Sequence, residues 1–277
     1  MDKRGVIFSD MDGTLCFHEQ AHGIREVARN ADGTVLVADP AAGTTHLAYD
    51  VSVSLYRAYL AVETRRLGRE IQQRYDFVCV TGGRPATIYA RKDALDFADA
   101  VILESGGQIF DGDLQPDPEW YARLEGERQH LAGVAARLRN DGWILDDKGR
   151  TSGIRIRKVD NPHRSPDEFE RLCADLTLPD ALKKTINMEH LDVILRSAGK
   201  GNAVSFWMQS HGYAVSDSIG IGDDINDLDF LRATGQKYVL ASSYPETIGI
   251  AQAEGWHISK SPHFDGINEI LGHILAL

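Results

Sequence analysis

Cysteine is scarce in this chain: three in 277 residues (Cys16, Cys79 and Cys173), far apart and without a CxxC pair. That argues against a disulfide framework and a thiolate zinc site, and it suits a reducing compartment. Long apolar runs are missing as well. No stretch approaches the ~18 uninterrupted apolar residues of a membrane span. Too few residues separate Met1 from Asp10 for the hydrophobic region of a signal peptide. The expectation is a soluble cytoplasmic protein with no membrane partner. Cations are in deficit, 30 Lys+Arg against 41 Asp+Glu, for a net charge of −11. A chain this acidic repels nucleic acid unless a local basic patch overrides the balance, so nucleic acid is not an expected partner. What is present is ordinary. With 43% hydrophobic and 26% charged residues, the composition is that of a globular protein of one large or two modest domains.

Several short apolar runs stop at polar, glycine-containing turns. Gly5–Ser9 ends at Asp10, Asp76–Val80 at Thr81-Gly82-Gly83-Arg84, Ala100–Leu103 at Glu104-Ser105-Gly106-Gly107, and Ser218–Ile221 at Gly222-Asp223-Asp224. Continuous apolar runs of this length suit strands buried on both faces. Helical spacing between them (86–97 after Pro85, 201–211 before Gly212, 226–234) predicts an α/β fold with a doubly wound parallel sheet. Residues 17–50 are polar and predict two strands, 34–39 and 45–52, followed by a helix opening at Ser52 or Ser54. That helix would carry Val53, Tyr56, Leu60, Leu67 and Ile71 on one face. The pattern changes after residue 111. A helix over 118–140, a hairpin of 143–147 and 151–159, a helix from the capping box Ser165-Pro166-Asp167-Glu168, and strands 184–188 and 191–195 read α-β-β-α-β-β. The expected organisation is an α/β core made of 1–111 and 196–277, with a smaller inserted α+β domain at 112–195.

The strand-end turns concentrate chemistry. Asp10 and Asp12 of Asp10-Met11-Asp12-Gly13-Thr14 point the same way from an extended chain, and Gly13 permits a sharp turn. An EF-hand is excluded, because Gly13 comes too early and Ala21 falls where the bidentate acid belongs. Asp223, Asp224 and Asp227 crowd another strand end. Such like charges are costly without a cation, and all-oxygen ligands suit Mg²⁺. They also match a diphosphate-binding DDxxD, but that motif needs an all-helical chain. Thr81 and Gly82 form an anion cradle ahead of a helix. Lys200, between glycines at a helix start, opposes the helix dipole and so either has another partner or points to solvent.

In order, Asp10-x-Asp12-Gly13-Thr14, Thr81-Gly82, Lys200-Gly201 and Gly222-Asp223-x-x-Asn226-Asp227 resemble the four motifs of haloacid dehalogenase-like phosphatases. Glu104-Ser105-Gly106-Gly107 resembles the strand-three segment of the Cof-type, or type IIB, branch, whose α-β-β-α-β-β cap falls where the inserted domain is expected. The resemblance implies Asp10 as the nucleophile, forming an aspartyl-phosphate, and Asp12 as general acid and then base. It implies Mg²⁺ held by Asp10, the backbone carbonyl of Asp12, and Asp223, with Asp227 fixing a water. Thr81, Gly82, Lys200 and Asn226, with the N–H groups of Met11 and Gly13, would bind the phosphoryl group.

Two departures stand out: Gly83 intervenes in the usual Thr-Gly-Arg, displacing Arg84, and residues 17–50 lengthen the gap before Thr81. Arg155, Arg157 and Arg196 are the candidates for contacting substrate from the cap. The implied activity is a Mg²⁺-dependent phosphatase acting on a small phosphorylated metabolite such as a sugar phosphate. The alternatives are a phosphotransferase or phosphomutase on the same core, and a non-enzymatic module that binds a phosphorylated ligand.

Overall fold

The computed structural model describes residues 3–53, 56–186 and 190–277. The apolar runs are strands of one seven-stranded sheet. From one edge its order is His257–Ile258, Gln236–Val239, Ser218–Gly222, Val6–Asp10, Asp76–Val80, Ala100–Leu103, Gln108–Asp111. Six strands run parallel, and Gln108–Asp111 closes the edge antiparallel. Successive side chains enter opposite cores. Ile7, Phe77, Cys79, Val101, Ile219 and Ile221 join one cluster, while Val6, Phe8, Val78, Val80, Ala100 and Ile102 join the other. With both faces buried, neither parity of a strand can be polar, and the runs show no alternation.

The helix Pro85–Arg91 is shorter than the expected 86–97, and the turn Ile225–Asp227 is a separate 3₁₀ segment ahead of Leu228–Ala233. The helix Lys200–His211 ends at Gly212 in the left-handed conformation, φ +76°.

Between the edge strand and Lys200 lies a second, three-stranded antiparallel sheet, ordered Gly153–Arg157, His190–Leu195, Leu182–Ile186. The helix Pro118–Asn140, capped by Asp117, and the helix Pro166–Asp175 accompany it; the latter carries the Ser165/Glu168 capping box read from the sequence. The expected strand at 143–147 is reduced to a single bridge, Asp146 to Arg155. The Asn161 side chain holds both backbone groups of Ile144, at 2.8 and 3.0 Å, and so occupies what a ladder partner would need. The last expected residues of strand 184–188 lie outside the described residues.

Residues 17–61 form a third sheet, antiparallel and five-stranded: Phe17–His18, Ala58–Ala61, Thr44–Asp50, Thr34–Asp39, Arg25–Arg29. The expected strands at 34–39 and 45–52 are there. The helix expected from Ser52 or Ser54 instead begins at Val62 (Val62–Gln72), and Ser54 itself lies outside the described residues. Ala58, Tyr59, Leu60 and Ala61 are all fully buried, and strands on both sides pair with their backbone; the helical spacing of Tyr56 and Leu60 is incidental. Val35, Val37 and Ala48 of this sheet share a core with Phe264 and Ile267 of the C-terminal helix His263–Ala276. Among the described residues no helix is long and apolar enough to cross a membrane.

Candidate active site

Parallel register places the motif turns together. Ser9 pairs with Ile221 and Asp10 with Val80, so the turns after three adjacent strands leave the sheet at the same edge. The chain departs from the central strand in both directions, which makes the crevice beyond it the ligand-binding position of an open α/β sheet.

The carboxylates of Asp10, Asp223 and Asp227 converge there, all buried, with one oxygen of each within 4.8 Å of the others. Lys200, 4% exposed, reaches in from its helix start. Its Nζ donates to Asp10 Oδ1 at 2.6 Å, to Asn226 Oδ1 at 2.9 Å and to Asp227. Of the two expectations for Lys200, a partner or solvent, the structure gives the first, a pair of carboxylates. Asp227 is fixed in turn, accepting the N–H groups of Asp223 and Asp224 at 3.0 and 3.1 Å. Burial and the Asp227 charge push the Asp223 carboxyl up to about 8, and push Asp10 well above the usual carboxylate range. On Lys200 the Asp10 and Asp227 charges outweigh burial and keep it protonated. Fully ionised, the three carboxyl groups would exceed the one ammonium by two negative charges, which, with burial, is why Asp10 and Asp223 are held toward protonation. An all-oxygen, buried donor set with that deficit suits a hard divalent cation.

Gly13 is required by this packing. A Cβ there would lie 2.4 Å from Asp223 Oδ2, and its φ is +101°. Thr14 donates to Asp223 Oδ1 at 2.7 Å, a role the sequence hid inside the motif. The Gly13 N–H donates to Cys16 O at 2.8 Å, which corrects the expectation that it is free for a phosphoryl group. Met11 has its side chain wholly in the core, leaving only its backbone to face the site.

Asp12 stands apart from the cluster. Its Oδ1 accepts from His18 Nε2 at 2.8 Å and Arg91 Nη1 at 2.7 Å. Burial raises its pKa, but the His18 hydrogen bond and the Arg91 charge outweigh that and hold it at about 2. Neither partner was legible. His18 lies in the unread polar segment, and Arg91 looks like any basic residue in a last helical turn. Arg91 is nonetheless buried and also donates to Val51 O at 2.9 Å.

Thr81 and Gly82 are locked to the turn after the next strand. Ser105 N–H donates to Thr81 O and Glu104 N–H to Gly83 O, both at 3.0 Å. Glu104 and Ser105 hold left-handed backbones, φ +50° and +55°. Gly106 abuts Gly199, where a Cβ would meet the Gly199 carbonyl oxygen at 2.2 Å, and this brings the turn against the Lys200 helix. The inserted Gly83 donates to Thr81 Oγ1, and Arg84 swings out to bind Asp146 and Lys148 O beside the small sheet. The Glu104 carboxylate, 3% exposed, accepts from the N–H groups of Thr151 and Ser152, the Ser152 hydroxyl and Gln108. Sequence inspection missed this buried acid because its partners are backbone groups nearly fifty residues away.

Of the three arginines nominated from the sequence, Arg155 lines the cleft between the two sheets, forked onto Asp192 at 2.6 and 2.7 Å. Arg157 is forked onto Asp160, and Arg196 bonds the carbonyls of Asp180 and Leu182. Both are committed to protein partners, and neither belongs to the described lining of that cleft.

Residues 145–271 match the model of the haloacid dehalogenase-like hydrolase family. A phosphoglycolate phosphatase of Methanothermobacter thermautotrophicus is 30% identical over 80 residues, covering 29% of this chain and 34% of that protein. The chain thus matches about a third of the length of this curated relative. The crystal structure of sucrose-phosphatase from Synechocystis sp. PCC6803 superposes with TM-score 0.64 at 15% identity, over 99% of this chain and 98% of that one. A sugar phosphatase of subclass IIB, BT4131, superposes with TM-score 0.58 at 13% identity over 99% and 100%. At such identities these two structures establish a common fold. The match of residues 145–271 to the model of the haloacid dehalogenase-like hydrolases agrees with the motif order read from the sequence.

Proposed function

We propose that this protein is a Mg²⁺-dependent phosphatase of small phosphorylated metabolites, a sugar phosphate being the first class to assay, working through an aspartyl-phosphate on Asp10. The observation that carries the reading is the buried Asp10–Lys200 pair, at 2.6 Å, within the Asp10/Asp223/Asp227 cluster at the sheet's ligand-binding edge. The names of the phosphatase relatives support it. Asp10 attacks phosphorus as the bond to the leaving alcohol breaks, and Asp12 protonates the leaving oxygen. Water then displaces Asp10 from phosphorus, its proton going to Asp12, and inorganic phosphate departs. As a carboxylate, Asp12 is in the form the second step needs. For the first step, His18 Nε2, 2.8 Å away, stands where it can hand Asp12 a proton. Thr81, Gly82, Asn226 and Lys200 hold the phosphoryl oxygens. Asp10, Asp223 and the Asp12 carbonyl, with Asp227 beside them, would hold Mg²⁺, which offsets the charge of the carboxylates and of the phosphoryl group. Residues 112–195 serve as the cap that selects substrate, on a core of 1–111 and 196–277.

The test is phosphate release from p-nitrophenyl phosphate and a panel of sugar phosphates, with Mg²⁺ and with chelator. Turnover that needs Mg²⁺ and is abolished by Asp10→Asn supports the reading; no release from any member removes it. A rearranged phosphoester with no label in phosphate from isotopic water would favour the phosphotransferase or phosphomutase instead.

A further inference from the structure

The cleft between the two sheets has Gly82, Glu104 and Ser105 on the large-sheet side and Arg150, Arg155 and Asp192 among those on the other. Its charged groups have hydrogen-bond partners in the protein, with one exception. Arg155 is forked onto Asp192, and His190 also stands 3.5 Å from that carboxylate. Arg84 takes Asp146. Glu104 is turned onto the backbone and hydroxyl donors of Thr151 and Ser152 and the Gln108 amide.

Arg150 is the exception. Its side chain is 11% exposed and its Nε is buried with no acceptor. Its one ion pair among the described residues is to Asp146 Oδ2, at 3.9 Å, beyond hydrogen-bond distance. The other oxygen of that carboxylate already belongs to Arg84. A buried guanidinium is normally surrounded by acceptors that fit its planar fork. Here the acceptors have gone to its neighbours, while the fork lines a cleft that also contains Gly82 of the phosphoryl cradle. Burial lowers its pKa, and the Arg155 and Arg84 charges lower it further, against the opposing pull of Asp146 and Asp192.

We propose that Arg150 reads a second anionic group, carboxylate or phosphate, on the substrate, so that the preferred phosphoesters are doubly anionic molecules rather than phosphates of neutral polyols. The inference rests on the phosphatase reading and narrows its substrate class. Arg150 takes the role that sequence inspection gave to Arg155, Arg157 and Arg196, each of which already has a protein partner.

The experiment compares kcat/KM, with Mg²⁺, for alkyl phosphates of one chain length ending in a methyl, a carboxylate or a second phosphate. The wild type should favour one of the anionic members over the methyl member by about tenfold or more, and which one identifies the group. In Arg150→Met that ratio should collapse through KM. In Arg150→Lys, which keeps the charge without the fork, it should fall partway. A wild type with no such preference, or a ratio that survives Arg150→Met, overturns the proposal while generic turnover leaves the phosphatase reading standing. If no phosphoester is turned over at all, that reading fails, and calorimetric titration decides about Arg150. Tighter binding of 3-phosphonopropanoate than of propylphosphonate, lost in Arg150→Met, upholds it; equal affinities overturn it.

Discussion

Two neighbouring regions handle buried charge in opposite ways. On the floor of the crevice Asp10, Asp223 and Asp227 gather around Lys200, and the carboxyl groups of Asp10 and Asp223 are driven toward protonation. On the facing wall three arginines confront acids that are nearly all spoken for, and one guanidinium is left over. On the proposed function the unlike excesses have one reason: a cation would sit on the carboxylates, and a substrate with negative charge at both ends would reach from them to Arg150. Uncompensated charge that costs the empty protein stability marks where a ligand completes the balance.

The largest effect should come from breaking the floor at its nucleophile. Asp10→Asn should lower phosphate release by about 10⁴-fold or more with the fold intact by circular dichroism. Retained turnover would take Asp10 out of the chemistry. Next is Lys200→Met, which removes the one cation paired with the floor's carboxylates among the described residues. Activity should fall about 10²–10³-fold, and urea denaturation without divalent ions should show a loss of about 3–5 kcal/mol. Added Mg²⁺ should recover part of that stability by binding the native state; a variant as stable as wild type would mean that the carboxylates are not crowded. Between the two regions, Glu104→Gln should cost about 1–3 kcal/mol by replacing a carboxylate that accepts from Thr151, Ser152 and Gln108. An unchanged denaturation midpoint would show that this acid does not tie the two sheets together.

His22 represents a third answer to burial, which is to shed the charge. Burial, with the His18 and His263 rings close by, holds it down to about 4. The unfolded chain takes up the proton near pH 6.5 and the folded chain only near 4, so stability is complete above that window and declines as pH falls through it. The expected loss between pH 7 and 4.5 is about 1–2 kcal/mol for this partly solvated ring. His22→Asn should flatten that part of the profile, and an equally steep variant would assign the slope to other groups.

The site was legible in the sequence where short-range rules act. Asp10, Asp12 and Gly13 sit within four residues, and parallel strands carry every such turn to one edge, so finding the strands amounted to finding the floor. Arg150 could not be found that way. Its importance depends on Asp146 being taken by Arg84, sixty-odd residues earlier in the chain, and on Asp192 being taken by Arg155. Ala58–Ala61 misled for a related reason. Four residues buried on both faces carry no periodicity of their own, and the strands that decide their state, Phe17–His18 and Thr44–Asp50, lie in stretches too polar to announce a core. The surroundings of Asp12 were not legible, because His18 and Arg91 reach it from separate elements.

The five-stranded sheet of residues 17–61 has a consequence for anyone wishing to trim this protein. Phe17 packs edge-on against Phe264, Asp39 meets His263 at 3.1 Å, and Thr44 donates to Asp265 at 2.9 Å. Excising the segment to obtain a minimal enzyme would strip the inner face of the last helix and pull His18 away from Asp12 in the same cut. A shortened version would have to replace that apolar lining before its catalysis could be judged.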